Sequence, residues 1–281
     1  MKRNKSFDNK QPILFLISTP IGNLNEMNPR ALETIEQMDI IAAEDTRNSG
    51  ALIRHFGYTK EMFSLREHNE VEASTKLIKL IKEGKKVAYM SDAGYPGISD
   101  PGYILTKMAI ENDIAVSVIN GSCAFITALV ASGLPTDHFY FYGFLSPKEN
   151  EAKNELEEIR QRKETLVFYE APHRIEKTIK IMQEILGNRE AVIARELTKL
   201  NEEYIRGSLD ELINLDFSTI KGEIVIVVSG NNKNNEVDEN TIINRLKYFI
   251  DKGLSKKDAI EVVSDEYQIN KNTVYKLALE I

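Results

Sequence analysis

Short apolar runs and longer stretches of helical period alternate along the first half of the chain. ILFLIS (13–18) has the length and continuous apolar character of a buried strand. Asn28 then offers a helix N-cap and Pro29 a first helical residue, so PRALETIEQM opens a helix. DIIAAE (39–44) is a second strand. TRNSGALIRHF is a helix closed by Gly57, with Asp45 or Thr46 as its cap. ASTKLIKLIKEG places apolar residues at helical spacing before a glycine stop, and the strand KVAYM follows. YILTKMAIEND is helical and AVSVI (115–119) a strand. This alternation predicts a mostly parallel sheet with helices on both faces.

After NGSCAFITALVASGL (120–134) the texture changes. HFYFYGFL (138–145) is aromatic, and KENEAKNELEEIRQRK (148–163) is a highly charged helix. TLVFYE (165–170), AVIARE (191–196), EEYIRG (202–207) and GEIVIVVSG (222–230) read as strands of a second, more antiparallel sheet. The pattern divides the chain into a first lobe (1–121), a second (122–231), and a linker with a helical tail (232–281), the boundary lying near 119–137. NNKNNEVDEN (231–240) is a polar linker by composition.

Composition sharpens this picture in three ways. Apolar residues make up 42% of the 281, enough for a core without covalent staples. A single cysteine, Cys123, makes neither an intramolecular disulfide nor a metal cluster, which fits a reducing compartment. The basic start MKRNKSFDNKQP precedes an apolar run too short for a signal peptide or membrane anchor, so a cytoplasmic protein without a membrane partner is expected. The net charge of −7 repels nucleic acid as a whole, so such a partner must meet local basic patches. RNSGALIRH, with Arg47 and Arg54, is one such patch.

The candidate chemistry sits in turns that follow strands. SDAGYPGISDPG (91–102) holds three glycines and two prolines, like a phosphate cradle, yet it carries Asp92 and Asp100 and no Lys or Arg. Two carboxylates repel a di- or triphosphate. Asp92, at the end of a strand, suits a cationic or hydroxyl-rich ligand, whereas Asp100 reads as a turn residue capping the helix that begins near Gly102. STPIGNL (18–24) turns sharply at Pro20 and Gly22. In NGSCAFITAL, Ser122 is a natural N-cap, leaving free backbone N–H groups at a helix start.

ILFLISTPIGNL, AAEDTRNSGALIRHFG, SDAGYPGISDPG, NGSCAFITALVASGLP, FYGFL, FYEAPHRI and KGEIVIVVSG together resemble the ribosomal RNA small subunit methyltransferase I family. That family is part of the tetrapyrrole-methylase (class III) group of S-adenosylmethionine-dependent enzymes. The resemblance runs in order through roughly residues 12–230. It implies an α/β fold of two αβα lobes with S-adenosylmethionine in the cleft between them, plus a small C-terminal helix-turn-helix-like segment. The implied reaction is 2′-O-methylation of a cytidine in the decoding region of 16S rRNA, met within the 30S subunit, by a homodimer. By motif match the cofactor lies against Pro20, Asp92, Gly94, Ile98, Ser122, Ala124, Tyr169 and Leu197. A sulfonium and an α-ammonium carry positive charge and no phosphate, which accounts for an acidic glycine loop. No metal is implied.

A ribose 2′-hydroxyl is a poor nucleophile, so a base or a nearby cation assists it. Candidates are Glu44, Asp45 and Arg47, then His68, then Glu170, His173 and Arg174 in YEAPHR, and Glu196, Lys199 and Glu202 in ELTKLNEE. Glu170, His173, Arg174 and Lys199 are the catalytic set carried forward. Pro172 is expected to start a helix, with His173 and Arg174 in its first turn. The ordinary reading of all these residues is capping and surface ion pairing. In the tail, Ala259, Val262, Val263, Ile269, Val274 and Leu277 have the spacing of a helix-turn-helix, with Lys271 on its second helix. Residues 241–281 carry seven basic and six acidic side chains, so the tail is not strongly basic. Arg47, Arg54 and Lys271 are the expected RNA contacts. Two other functions fit the pattern: a tetrapyrrole or small-molecule methylase of the same fold, and a helix-turn-helix regulator whose α/β part senses a nucleoside metabolite.

Overall fold

The computed structural model describes residues 12–231, 239–267, 269–279 and 281. The basic N-terminal stretch, most of the polar linker and Glu280 lie outside the described residues. Contacts gather the chain into two compact units, Met1–Arg160 with Glu164–Ser229, and Gln161–Lys163 with Gly230–Ile281.

Among the described residues, the larger unit contains two five-stranded sheets. The first is built from β1 (Ile13–Ile17), β2 (Ile40–Ala43), β3 (Glu61–Ser64), β4 (Val87–Met90) and β5 (Ala115–Ile119), in the order β3-β2-β4-β1-β5. Every pairing is parallel. Its helices are α1 (Pro29–Gln37), α2 (Thr46–His55), α3 (Glu70–Lys82) and α4 (Tyr103–Glu111). Alternation along the strands sorts the core. Leu14, Leu16, Val87 and Tyr89 face α3 and α4, whereas Ile17, Ala88 and Met90 face α1 and α2. With both faces covered, β2 and β4 are buried throughout, which is why they read as unbroken apolar runs. Asn28 and Asp45 cap α1 and α2 as their sequences indicate, each accepting from the backbone N–H two residues on. β3 was not evident from sequence, because EMFS is short and only partly buried.

The second sheet contains β6 (Phe139–Phe144), β7 (Thr165–Glu170), β8 (Glu190–Arg195), β9 (Glu203–Ser208) and β10 (Ile224–Val228), ordered β6-β7-β10-β8-β9. Only β6 and β7 pair in parallel. One face packs on α6 (Glu149–Ile159), α7 (Ile175–Leu186) and the short α8 (Leu209–Leu212). The other face, with Val167, Val192, Ala194, Val225 and Val227, receives α5 (Ala124–Ser132) through Ala128 and Leu129, and also Ile21 from the turn after β1. α8 went unread although SLDE carries a capping box, with Ser208 and Glu211 bonded reciprocally. α7 begins at Ile175, so Pro172, His173 and Arg174 form a turn before the helix and Arg174 occupies its N-cap. The expectation of a helix starting at Pro172 is thereby corrected.

Among the described residues, the smaller unit holds three helices, α9 (Glu239–Asp251), α10 (Lys256–Tyr267) and α11 (Lys271–Ala278). Ile242, Leu246, Ala259, Val263, Val274 and Leu277 form its own core, while Val262 is 37% exposed and stands outside it. Asn270 caps α11. Among the described residues, no helix is long and apolar enough to cross a membrane.

Candidate functional site

In the first sheet, Ile17, Met90 and Ile119 stand in register, so three turns leave adjacent strands at one level. These are the turns singled out in the sequence, and hydrogen bonds knit them together. Thr19 and Gly94 exchange backbone bonds of 2.9 and 3.1 Å, and the Thr19 hydroxyl donates to the Ser91 carbonyl. The Ser18 hydroxyl donates to the Ser122 carbonyl. Gly121 lies so close that a Cβ there would meet Ser18 Oγ at 2.9 Å.

These turns form one side of a cleft of about 350 Å³, whose other side comes from the second sheet. Gly94, Ile98 and Ala124 line it from the turns, and Tyr169 and Leu197 from the far side. Pro20, Asp92 and Ser122 do not line it, although Ile21, Ala93 and Cys123 beside them do. Sequence reading also passed over Phe144, Gly222 and Val225. Gly222 and Val225 fall within the noted stretch KGEIVIVVSG, but nothing in a strand's sequence says which of its faces meets a cleft. Phe141 and Phe144 pack their rings against Tyr169, extending an aromatic wall.

The two carboxylates of the glycine loop have different surroundings. Asp92 is exposed and accepts from the Asp45 backbone N–H and the Asn48 amide, tying the loop to the start of α2. Asp100 does not cap α4. That task falls to Glu70, a buried carboxylate that accepts from the backbone N–H groups of Gly102 and Ile104 at 2.8 and 2.9 Å. Asp100 instead lines the cleft. Burial, followed by the charges of Glu44 and Asp92, pushes its carboxyl up to about 6. Glu44 is likewise raised, first by burial and then by Asp92, against a lowering by Arg66. Ser122 is not an N-cap either: Cys123 holds that position, and the Ser122 hydroxyl donates to Glu26 at 2.7 Å.

The remaining candidates divide by what they touch. Glu170 lines the cleft but is 3% exposed and heavily engaged, accepting from its neighbour Ala171, from Thr178 and from Arg174. Arg174 also donates to the carbonyls of Leu145 and Ser146, so its guanidinium fastens β7 to the end of β6. His173 is exposed and does not line the cleft. Lys199 reaches Glu196 at 2.9 Å and Glu223 at 3.0 Å. Burial lowers its pKa, but those two carboxylates outweigh burial and the net shift is upward. Its stem crosses Gly22, where a Cβ would come within 2.5 Å of it. Glu196 and Thr198 adopt left-handed backbone conformations, for which their residue types give no signal. Glu202 accepts from the Thr198 backbone N–H.

Arg47 forms a bidentate pair with Asp45, and hydrogen bonding to Arg47 holds the Asp45 carboxyl well below its ordinary range. Arg54 and His68 are exposed. In the tail, Lys271 pairs with Glu261 at 2.6 Å. Among the described residues, the lining of the cleft includes Asp100, Glu170 and Glu223 but no Lys or Arg.

Residues 14–213 match the family of Tetrapyrrole (Corrin/Porphyrin) Methylases. The chain is 42% identical over 282 residues to the ribosomal RNA small subunit methyltransferase I of Streptococcus pyogenes serotype M18 (strain MGAS8232), covering 98% of each chain. It is also 42% identical over 285 residues to the protein of that name in Bacillus subtilis (strain 168), covering 98% of this chain and 97% of the relative. Among solved structures, diphthine synthase superposes with a TM-score of 0.62 at 15% identity, covering 77% of this chain and 89% of that one. Uroporphyrin-III-C-methyltransferase from Thermus thermophilus gives 0.56 at 16%, covering 77% and 94%. At such identities the likeness is one of fold.

Proposed function

The chain belongs to the tetrapyrrole (corrin/porphyrin) methylase family, and from that premise we propose that it is an S-adenosylmethionine-dependent RNA methyltransferase. The acceptor is the ribose 2′-hydroxyl of a cytidine in the decoding region of 16S rRNA, met within the 30S subunit, in the cytoplasm. The observation that carries this reading is the 42% identity over nearly the whole length of relatives named ribosomal RNA small subunit methyltransferase I.

The cleft fits the cofactor on its own terms. It has room for a folded nucleoside, its walls are apolar and aromatic, and its charged lining is acidic. A triphosphate would be repelled there, whereas a sulfonium and an ammonium would not. Gly94, Ile98, Ala124, Tyr169 and Leu197 would hold the cofactor directly, and Pro20, Asp92 and Ser122 would shape the turns around it. When bound, S-adenosylmethionine supplies an electrophilic methyl group on sulfur.

The chain's own residues then align and screen. The turns after β1, β4 and β5 fix one side of the cleft through backbone bonds, and Tyr169 and Leu197 exclude water from the other. Of the candidate catalytic set, Lys199 stays protonated because Glu196 and Glu223 stabilise its charge, so it acts as a fixed cation and not as a base. Glu170 and Arg174 position the end of β7, and His173 meets the RNA from outside the cleft. Arg47, Arg54 and Lys271 serve as phosphate contacts. The enzyme works as a homodimer.

The test is to incubate the protein with methyl-labelled S-adenosylmethionine and 30S subunits from a strain lacking it. Label in an alkali-resistant dinucleotide containing a methylated cytidine supports the reading. Label in a tetrapyrrole and none in RNA replaces it with a small-molecule methylase, and absence of cofactor binding by calorimetry rejects both.

A further inference from the structure

A second depression, of about 390 Å³, opens beside the cleft. The two share Gly222, and the chain passes from one to the other in a single step, since Glu196 lines the second and Leu197 the first. Their chemistry differs. The cleft is walled by apolar residues and carboxylates, whereas Arg195, Asn201, Ser218, Thr219 and Lys221 line the second depression. Among the described residues, Glu196 is the one carboxylate in that lining. It accepts from the Lys199 ammonium at 2.9 Å and from the Glu223 backbone N–H at 3.1 Å, so its charge is already met. With a net charge of −7, the chain must meet RNA through local basic surface, and this basic surface adjoins the cleft.

The depression has hydrogen-bonding capacity to spare, of two kinds. Among the described residues, neither the Lys221 ammonium nor the Asn201 side-chain amide has a hydrogen-bond or ionic partner. Arg195 is pinned by Glu203 and by the Lys221 carbonyl, and its guanidinium keeps further N–H groups to donate. Ser218 and Thr219 are the converse. Their hydroxyl protons go to the Asp216 carboxylate at 2.6 Å and the Asp216 carbonyl at 2.7 Å, which leaves each oxygen free to accept. The loop that carries Asn201 is clamped. The Thr198 N–H donates to the Glu202 carboxylate, the Lys199 N–H to the Glu196 carbonyl and the Glu202 N–H to the Lys199 carbonyl. Glu196 and Thr198 hold costly left-handed backbone within it, and Leu200, just before Asn201, is fully exposed.

Resting on the RNA methyl-transfer reading above, we propose that this depression binds a sugar–phosphate unit of the substrate RNA beside the acceptor nucleotide. Lys221 and Arg195 meet the phosphate, and Asn201 donates to one of its oxygens. Ser218 and Thr219 accept from a ribose 2′-hydroxyl, a donor that RNA has and DNA lacks. Leu200 offers an apolar face to a base. A contact of this kind fixes the register of the strand and carries no sequence information, so it orients the acceptor at the cleft without touching the cofactor.

The experiment measures KM and kcat for methylation of 30S subunits over a series of salt concentrations, with S-adenosylmethionine affinity determined separately by calorimetry. Lys221→Ala should raise KM about five-fold and Lys221→Glu about ten-fold or more, with kcat and cofactor affinity within about two-fold of wild type. Lys221→Arg should stay close to wild type. The slope of log KM against log salt should fall by about one in Lys221→Ala, because one phosphate contact is gone. Asn201→Ala should raise KM by about two-fold and leave that slope unchanged, since it removes no charge. Leu200→p-benzoylphenylalanine should photo-crosslink to 16S rRNA. If Lys221→Glu keeps both KM and the salt slope while wild type methylates 30S subunits, the proposal fails and the functional reading survives. Loss of cofactor affinity in proportion to activity, or crosslinking to ribosomal protein alone, likewise overturns it. If wild type transfers no methyl group to RNA, both fall together.

Discussion

The two sheets of the larger unit are covered by helices on both faces, yet they contribute to the cleft in different ways. In the parallel first sheet every strand ends at the same edge, so the turns after β1, β2, β4 and β5 gather there and carry the unusual backbone and the unneutralised carboxylates. In the largely antiparallel second sheet successive ends point in opposite directions, and no single edge collects them. That sheet supplies a firm apolar and aromatic wall, Tyr169, Leu197 and Val225, whose few charged neighbours are already paired. Parallel pairing thus concentrates reactive turns, and antiparallel pairing offers a surface to hold a ligand against them.

Substitutions on the two sides should therefore fail differently. The largest effect is expected from Phe168→Ala in the second sheet, where a fully buried ring leaves a cavity. It should cost about 3–5 kcal/mol in denaturant unfolding, and cofactor affinity measured where the variant is still folded should stay close to normal. Gly121→Ala should reverse that balance. Its Cβ meets Ser18 at 2.9 Å, so the turns must part, at a cost of roughly 1–3 kcal/mol and with a clear loss of cofactor affinity by calorimetry. Retained affinity in Gly121→Ala would show that the knitted turns do not shape the site.

A smaller effect with a defined sign is expected from Asp100→Asn on stability. The native pKa lies above the unfolded value, so the folded protein favours the protonated acid and ionisation weighs against folding. The penalty is absent below the unfolded pKa, grows as pH rises towards about 6, and is complete above it. The amide should accordingly stabilise the protein at alkaline pH by at most ~1 kcal/mol, since solvent reaches part of the carboxylate, and the gain should vanish in acid. A gain that persists in acid would show that the carboxylate's ionisation is not its source. The smallest effect is expected in the tail. Lys271→Ala removes a surface pair with Glu261 and should leave the melting temperature unchanged, while any contribution to RNA binding would appear as weaker binding at low salt.

Legibility from sequence differed between elements for physical reasons. Strands buried on both faces, such as IIAA and VAYM, and helices with a side-chain cap, such as those after Asn28 and Asp45, announced themselves. β3 did not, because a partly exposed edge strand has no apolar run to show. The turn at Pro172 was misread because proline fits both the first position of a helix and the turn before one. The cap of α4 was misassigned to Asp100 because the residue that provides it, Glu70, lies thirty or more residues away in sequence.

The sequence by itself determined the alternation of strand and helix, the change of texture between the two sheets, and the three turns that carry glycine, proline and acid. These are local properties, set by side-chain period, capping and backbone freedom. Only the tertiary structure decided which carboxylate of SDAGYPGISDPG faces the cleft and which is tied to α2, since hydrogen bonds from α3 and α2, distant in sequence, make that choice. Burial and charge at Asp100 follow from the same packing, and no local pattern encodes them.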